Sequence, residues 1–308
     1  MERRNFIRNS LAATSLVAIS GATSLSASNK SRAGNEFNLN YAPHFGMFKN
    51  SSGENFEDQL QFMYDEGFRA LEDNGMKRKS LDDQKKIASK LEKLGMAMGV
   101  FVAHKVYWNE PNLTNGDANF REEFLSQIRE SVEVAKRVNA KWMTVVCGHV
   151  TLNLEMAYQT ANVMESLKRA SDILEPHGLV MVLEPLNWWT NHRGQFLVNA
   201  PQAFELCKAV DSPSCKILYD IYHQQISEGN LIPNINKSWD EIAYFQVGDN
   251  PGRKEPTTGE INYLNIFKNL NEKGFKGVVG MEHGNSKPGK EGERAVIDAY
   301  RKVDAFLN

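Results

Sequence analysis

Four polar residues recur at a regular spacing in the second half of the sequence. They are Glu184, Asp220, Gln246 and Glu282, separated by 36, 26 and 36 positions. Each follows a short apolar run, as in Val-Leu-Glu184 and Leu-Tyr-Asp220. Intervals of this length fit one strand and one helix, so we expect the four side chains at neighbouring positions along one edge of a sheet.

These four residues have the chemistry of a metal site. Burying three carboxylates together is prohibitive unless a cation compensates their charge. Two Glu, one Asp and one Gln form an oxygen-only set that suits Mg²⁺ or Mn²⁺, whereas a zinc site would contain more His or Cys. The sequence therefore predicts one divalent metal ion, and His223 either joins its ligands or contacts the substrate. Any one of these residues alone would suit a loop contact equally well.

A long polar segment after Gln246 is expected to bind the substrate. It runs to Asn262, and its Pro and Gly residues restrict its path. Within it, Arg253 can hold a carboxylate or polarise a carbonyl through its planar donors. Glu255 lies two residues further on and is a second candidate contact. The alternative is a surface ion pair between Arg253 and Glu255.

A second loop, after Glu184, carries a pair of tryptophans. Trp188 is a candidate substrate contact, because with Trp189, His192 and Arg193 it could form a wall against the apolar face of a sugar ring. Packing within the loop is the alternative interpretation.

Eight short apolar runs are expected to form the strands that position these residues. They cover residues 37–41, 70–73, 97–103, 142–147, 179–184, 216–220, 242–247 and 277–282. The segments between them carry apolar residues at three- and four-residue intervals, which indicates helices. The predicted helices are residues 56–66, 81–93, 121–138, 156–175, 201–210 and 264–273.

This alternation predicts a (β/α)8 TIM barrel, an α/β fold. Apolar strands separated by helices form a parallel sheet covered on both faces, and eight units favour a closed barrel over an open sheet. No Gly-rich phosphate loop follows the first strand, which weakens the case for a dinucleotide-binding fold. We see no internal linker, so residues 36–308 are predicted to form one domain.

The first 35 residues are predicted to be a signal peptide and linker. Arg3, Arg4 and Phe6 resemble a twin-arginine signal, and a modest apolar stretch at 11–19 precedes small residues at 20–28. We expect cleavage after Ala27 or Ser28 and a periplasmic protein. A disordered basic tail is the alternative.

The composition and charge of the chain indicate which classes of binding partner to expect. The net charge of the 308 residues is −2, and no basic run supplies the usual footprint of nucleic-acid binding. No apolar stretch reaches the ~18 residues that span a bilayer, so no membrane contact is expected once the signal is removed. Three cysteines are too few for a disulfide framework. A small-molecule partner is favoured, and a homo-oligomer is compatible with the sequence.

The sequence resembles the hydroxypyruvate isomerase-like branch of the xylose-isomerase-like barrel superfamily. The resemblance extends over the chain after Phe37 and is most specific in Leu-Glu184-Pro-Leu-Asn, in Asp220-Ile-Tyr-His and in the segment 246–262. It implies metal binding by Glu184, Asp220, Gln246 and Glu282, and acid–base catalysis by Glu184 and Glu282. Related ketose epimerases have His in place of Gln246, so the glutamine indicates the isomerase branch. The tryptophan loop and the segment 104–108 do not match the family.

The expected reaction is an aldose–ketose type isomerisation of hydroxypyruvate or a related small hydroxy-carbonyl compound or sugar through an enediolate. Epimerisation of a ketose or dehydration of a keto-sugar would use the same intermediate. A non-catalytic periplasmic sugar-binding protein is an alternative of another class. An endonuclease of a related barrel family would need a His-rich zinc cluster and a basic face, and neither is evident.

Overall fold

A computed structural model of the chain describes residues 36–307, in which eight strands alternate with helices. The predicted signal peptide and linker at 1–35 lie outside the described residues. Export through a twin-arginine signal, and the domain boundary at residue 36, therefore stay predictions.

The eight strands each overlap a run predicted from the sequence. They are β1 Asn40–Ala42, β2 Ala70–Leu71, β3 Ala97–Met98, β4 Trp142–Val145, β5 Val180–Leu183, β6 Cys215–Asp220, β7 Ile242–Gln246 and β8 Val278–Gly280. Most are shorter than predicted, because the last residues of several apolar runs have already left the sheet.

The strands close into a barrel. Six of them form one parallel sheet in the order β1-β8-β7-β6-β5-β4, in which the first strand pairs with the last. Strands β2 and β3 pair with each other in parallel. Parallel bridges from His44 to Glu72 and from Val102 to Thr144 connect this pair to β1 and β4. The predicted TIM barrel is confirmed.

Ten helices accompany the strands within the described residues. They are α1 Lys49–Ser52, α2 Phe56–Asp65, α3 Leu81–Leu94, α4 Ala118–Val138, α5 Met156–Leu174, α6 Ala200–Val210, α7 Ile221–Ser227, α8 Leu231–Ser238, α9 Tyr263–Glu272 and α10 Gly289–Val303. None of the helices in residues 36–307 is long and apolar enough to cross a bilayer. All six predicted helices are confirmed.

Four helices were not predicted, for two physical reasons. Helices α1, α7 and α8 have four to eight residues, too few to display a helical period. Helix α10 begins with Gly-Lys-Glu-Gly, and glycine has low helix propensity.

Side chains alternate between two cores along each strand. Val180 and Val182 belong to a small cluster that also takes residues from β1, β2, β6, β7 and β8, so this cluster fills the barrel interior. Met181 and Leu183 belong to the larger core between sheet and helices. Because successive side chains of a strand point to opposite faces, residues two positions beyond an interior residue also face the interior.

A buried histidine joins the end of the third barrel unit to the fourth. His104 Nδ1 lies 2.9 Å from the carbonyl oxygen of Lys105, and its Nε2 lies 3.2 Å from the backbone nitrogen of Val146. Nε2 therefore accepts and Nδ1 donates, which is the neutral imidazole. Burial, with a smaller contribution from the charge of Lys77, lowers the pKa of His104 to about 4.

We expect His104 to make the protein sensitive to acid. Its folded-state pKa lies below the ordinary value of about 6.5, so the unfolded chain binds more protons between pH 6.5 and 4 and stability falls as the pH is lowered. The loss attributable to this group is at most about 3 kcal/mol. Urea unfolding across this range should show a smaller loss for His104→Asn than for the wild type. The same change at exposed His177 should preserve the wild-type loss, and equal losses in all three proteins would contradict the assignment.

Candidate active site

Strand alternation directs five polar side chains to the carboxyl end of the barrel interior. Glu184 follows Val182, Asp220 follows Leu218 and Gln246 follows Tyr244, each two positions after an interior residue. Glu282 and Glu72 follow β8 and β2 in the same phase as the interior residues Val278 and Ala70. The first four are the residues predicted from the sequence, and Glu72 was missed.

Asp220, His223 and Glu184 form the centre of this group. One ligand atom of each lies within 4.8 Å of the other two, close enough to hold a metal ion. Asp220 caps helix α7, because its Oδ1 accepts from the backbone nitrogens of Tyr222 at 2.8 Å and His223 at 3.3 Å. Its Oδ2 therefore remains directed at the site.

Arg253 connects Asp220 to Glu282. Its Nη2 lies 3.0 Å from Asp220 Oδ2 and 2.8 Å from Glu282 Oε2, and its Nε donates to the Glu282 carbonyl oxygen at 3.2 Å. The amide of Asn74 donates to Glu282 Oε1 at 3.1 Å. The guanidinium thus lies between two carboxylates of the predicted metal set.

The loop that carries Arg253 is organised by Asp249. The Asp249 carboxylate is fully buried and accepts from the backbone nitrogens of Gly259 at 2.9 Å and Ile261 at 3.1 Å. The backbone carbonyl oxygen of Asp249 accepts from the backbone nitrogen of Arg253 at 2.8 Å. Arg253 has a φ of 50°, a left-handed conformation that costs a non-glycine residue free energy, so these contacts hold it in place.

The site contains more negative than positive charge. Burial, followed by the charges of Glu282 and Asp220, raises the pKa of Glu184 well above its ordinary value. Burial is also the main cause that raises the pKa of Glu282 to about 7, although Arg253 lowers it. Burial alone would lower the pKa of Arg253, but Glu282, Asp220 and Glu184 raise it, so the guanidinium stays charged. One guanidinium does not balance these carboxylates, and a cation would.

The hydrogen bonds of His223 assign its tautomer. Asn187 Oδ1 accepts from the backbone nitrogens of Thr190 at 3.0 Å and Asn191 at 3.2 Å, which fixes the direction of this amide. Its Nδ2 therefore faces His223 Nδ1 at 2.6 Å, and the Asn187 backbone nitrogen donates to the same atom at 3.3 Å. A nitrogen that receives two donors carries no proton.

The proton of the neutral ring must then lie on Nε2. Burial is the main cause that lowers the pKa of His223 to about 3, although Asp220 raises it, so the ring is neutral at physiological pH. Nε2 is 3.6 Å from Asp220 Oδ2 and 3.8 Å from Glu184 Oε1, beyond hydrogen-bond distance. A protonated nitrogen cannot ligate a metal, so in this tautomer Nε2 offers the site a hydrogen-bond donor.

Gln246 presents an acceptor to the site. Its Nε2 donates to Glu72 Oε1 at 2.8 Å, while its Oε1 is buried and has no hydrogen-bond partner among residues 36–307. An unsatisfied buried oxygen costs free energy, which a cation or a donor from the substrate would recover. This oxygen fits the ligand role predicted for Gln246.

Two other predicted contacts are engaged within loops. The Glu255 carboxylate is buried and accepts from the backbone nitrogen and hydroxyl of Ser286. The Trp188 indole donates to the Gln195 carbonyl oxygen at 2.6 Å and packs against the core. The structure gives both side chains loop-anchoring contacts, whereas His223 and Arg253 reach the carboxylates.

A different tryptophan stands next to the site. Trp108 stacks on His192 with ring centroids 4.8 Å apart, and His192 lies 5.3 Å from His223. Trp108 therefore borders the site through His192, while Trp189 is 75% exposed. No sequence pattern connected Trp108 to His192, because the contact joins loops after two different strands.

Comparison with known proteins agrees with this architecture. The model of a family described as a xylose isomerase-like TIM barrel matches residues 60–303. Hydroxypyruvate isomerase from Escherichia coli (strain K12) is 32% identical over 180 residues, which cover 58% of this chain and 69% of that one. The 2-oxo-tetronate isomerase of Cupriavidus necator is 25% identical over 79% of this chain and 92% of its own.

Solved structures give the same result for the fold. The crystal structure of an AP endonuclease, family 2, from Brucella melitensis matches with a TM-score of 0.72 and 25% identity over 82% of this chain and 96% of that one. Alignments with several vertebrate proteins named putative hydroxypyruvate isomerase span 60% to 64% of those chains, less than two thirds. The curated relatives are isomerases. The chain belongs to the xylose isomerase-like TIM barrel family, in its hydroxypyruvate isomerase-like branch.

Proposed function

We propose that this protein isomerises a short 2-oxo-3-hydroxy acid by moving a proton between its second and third carbons. The observation that carries the proposal is the convergence of Asp220 and Glu282 on one guanidinium, with a Glu184 oxygen within 4.8 Å of Asp220 and the buried, unpartnered oxygen of Gln246 among the described residues. The named substrates of the two isomerase relatives, hydroxypyruvate and 2-oxo-tetronate, are both acids of this class.

We further propose that Glu184, Asp220, Gln246 and Glu282 hold one Mg²⁺ or Mn²⁺ ion. Their oxygen atoms are the ligands that these hard cations prefer, and the site needs positive charge. Once bound, such an ion supplies stabilisation of the negative charge that develops on substrate oxygens.

The protein's own residues account for the proton movements. One of the two carboxylates, Glu184 or Glu282, takes the proton from the third carbon, and the electron pair of that bond forms the double bond of an enediolate. A carboxyl group returns a proton to the second carbon, and the hydroxyl proton passes from the third-carbon oxygen to the second-carbon oxygen. The raised pKa values of both groups belong to the site without a cation, and a bound cation would lower them, so that one carboxylate is ionised and able to take the carbon proton.

His223 and Arg253 orient the substrate. The Nε2 proton of His223 donates to a substrate oxygen. The Nη1 of Arg253 has no hydrogen-bond partner within residues 36–307, so it is able to bind the substrate carboxylate while Nη2 remains on Asp220 and Glu282.

A hydrolytic activity on nucleic acid has less support. Among the described residues, one group of three has metal-binding spacing, and it contains a single histidine. The net charge of −2 gives no reason to expect attraction to phosphates.

Isotope exchange tests the proposal. Protein loaded with Mg²⁺ or Mn²⁺ and given hydroxypyruvate in heavy water should incorporate deuterium at the third carbon of the substrate and at the second carbon of the isomerised product, as followed by proton NMR. The matched controls are buffer alone and protein treated with EDTA, which correct for spontaneous exchange.

The alternatives give different results in the same assay. Exchange into free ketoses but not into hydroxy acids would indicate an epimerase. Loss of water from a keto-sugar would indicate a dehydratase. Binding of a sugar without any exchange would indicate a sugar-binding protein, and each of these three results would overturn the isomerase assignment.

A further inference from the structure

Glu72 is a buried carboxylate beneath the site that the reaction does not use. It follows β2 and is 2% exposed. Gln246 Nε2 donates to its Oε1 at 2.8 Å, and the Tyr244 hydroxyl donates to its Oε2 at 2.9 Å. Both oxygens therefore act as acceptors.

The barrel is shaped to admit this carboxylate. A Cβ atom on Gly280 would lie 1.8 Å from Glu72 Oε2, so any residue other than glycine at this point of β8 would displace the side chain. The Tyr244 hydroxyl also accepts from the backbone nitrogen of Val100 at 3.4 Å, which directs the hydroxyl proton towards Glu72. Residues of β7 and β8 thus hold Glu72 in one position.

The fixed position of Glu72 determines the orientation of the Gln246 side-chain amide. An amide has two possible orientations, which exchange a donor for an acceptor. Because Glu72 Oε1 accepts, the Gln246 Nε2 must face it, and the Gln246 Oε1 is left buried towards the site. Because Tyr244 donates to Oε2 and Gln246 donates to Oε1, both Glu72 oxygens accept, as they do in an ionised carboxylate.

We propose that Glu72 is a positioning residue that orients Gln246 so that its carbonyl oxygen faces the metal. The inference rests on the metal site proposed above. Residues that fix the direction of a ligand generally change metal affinity about 10- to 100-fold when they are replaced.

The test measures Mn²⁺ binding without substrate, from the electron paramagnetic resonance signal of the free ion. In Glu72→Gln, the amides at positions 72 and 246 can pair in two ways, and in one of them the Gln246 nitrogen, not its oxygen, faces the metal. We therefore expect the Kd for Mn²⁺ to rise about tenfold or more. The double variant Glu72→Gln/Gln246→Glu restores one amide and one carboxylate, with the original net charge. It should recover a Kd within about threefold of the wild type.

Glu293→Gln is the matched control. Glu293 is a buried carboxylate on α10 that accepts from Asn50 and Ser51, outside the site. The Glu293→Gln variant should unfold at a lower temperature than the wild type, with no change in its Kd for Mn²⁺. If Glu72→Gln does not fold, recovery of folding and Mn²⁺ binding in the double variant supports the pairing, and a double variant that neither folds nor binds overturns it.

The outcomes separate the two proposals. If the wild type does not bind Mn²⁺, the proposed metal site is wrong. If the wild type binds and Glu72→Gln has the same Kd, or the double variant binds no better than a folded Glu72→Gln, the metal site stands and the role of Glu72 is wrong.

Discussion

Replacement of Glu184 or Glu282 by Gln is expected to reduce kcat by about 10²- to 10⁴-fold while the protein remains folded. The change removes the group that accepts and returns the carbon proton, but it keeps an oxygen atom and nearly the same shape. Glu184→Gln also removes a carboxyl group whose pKa is raised by burial and by the charges of Glu282 and Asp220, so the stability of that variant should be equal or slightly higher.

The two variants should be compared by turnover, by deuterium uptake and by Mn²⁺ stoichiometry. Retained metal with lost exchange assigns the carboxyl group to proton transfer rather than to metal binding alone. Glu293→Gln is again the control, because it changes a buried carboxylate away from the site. Turnover within tenfold of the wild type in either variant would refute the assignment of that residue.

The sequence predicted the barrel and the ends of its last four strands because these depend on local patterns. An apolar run followed by a polar residue marks a strand end, and strand alternation then sets which side chains face the interior. Glu184, Asp220 and Gln246 all follow this rule in the structure.

The same rule applied to β2 would have identified Glu72. It stands two positions after Ala70, which faces the interior, and it lies within the predicted run 70–73. The run around it is short, and a single Glu in such a run is more often a surface residue. The signal was therefore present but weak.

Contacts between distant loops could not be predicted in this way. Arg253 reaches Asp220 and Glu282 only because the buried Asp249 folds its loop back over the site. The orientation of His223 depends on Asn187, which is 36 positions away. Such hydrogen bonds depend on three-dimensional proximity, for which a single sequence carries no periodic pattern.

The hydrogen bonds of Asn187 lead to the last prediction, which concerns the tautomer of His223. In Asn187→Asp, a carboxylate oxygen replaces the Nδ2 that donates to His223 Nδ1 at 2.6 Å. The neutral ring should then carry its proton on Nδ1, and Nε2 would lose the proton that it donates to the substrate. Loss of a preorganised donor, or of the correct tautomer, reduces turnover by about 10²- to 10⁴-fold.

The ¹⁵N chemical shifts of labelled histidine at pH 8 report directly which ring nitrogen is protonated. We expect the His223 signals of Asn187→Asp to exchange their assignment relative to the wild type, together with the loss of turnover. Asn269→Asp, the same substitution on α9 where Asn269 pairs with Asn236, should change neither measurement. An Nδ1 proton in the wild type would contradict the donor role and return His223 to the candidate metal ligands, because its Nε2 would then be free to coordinate.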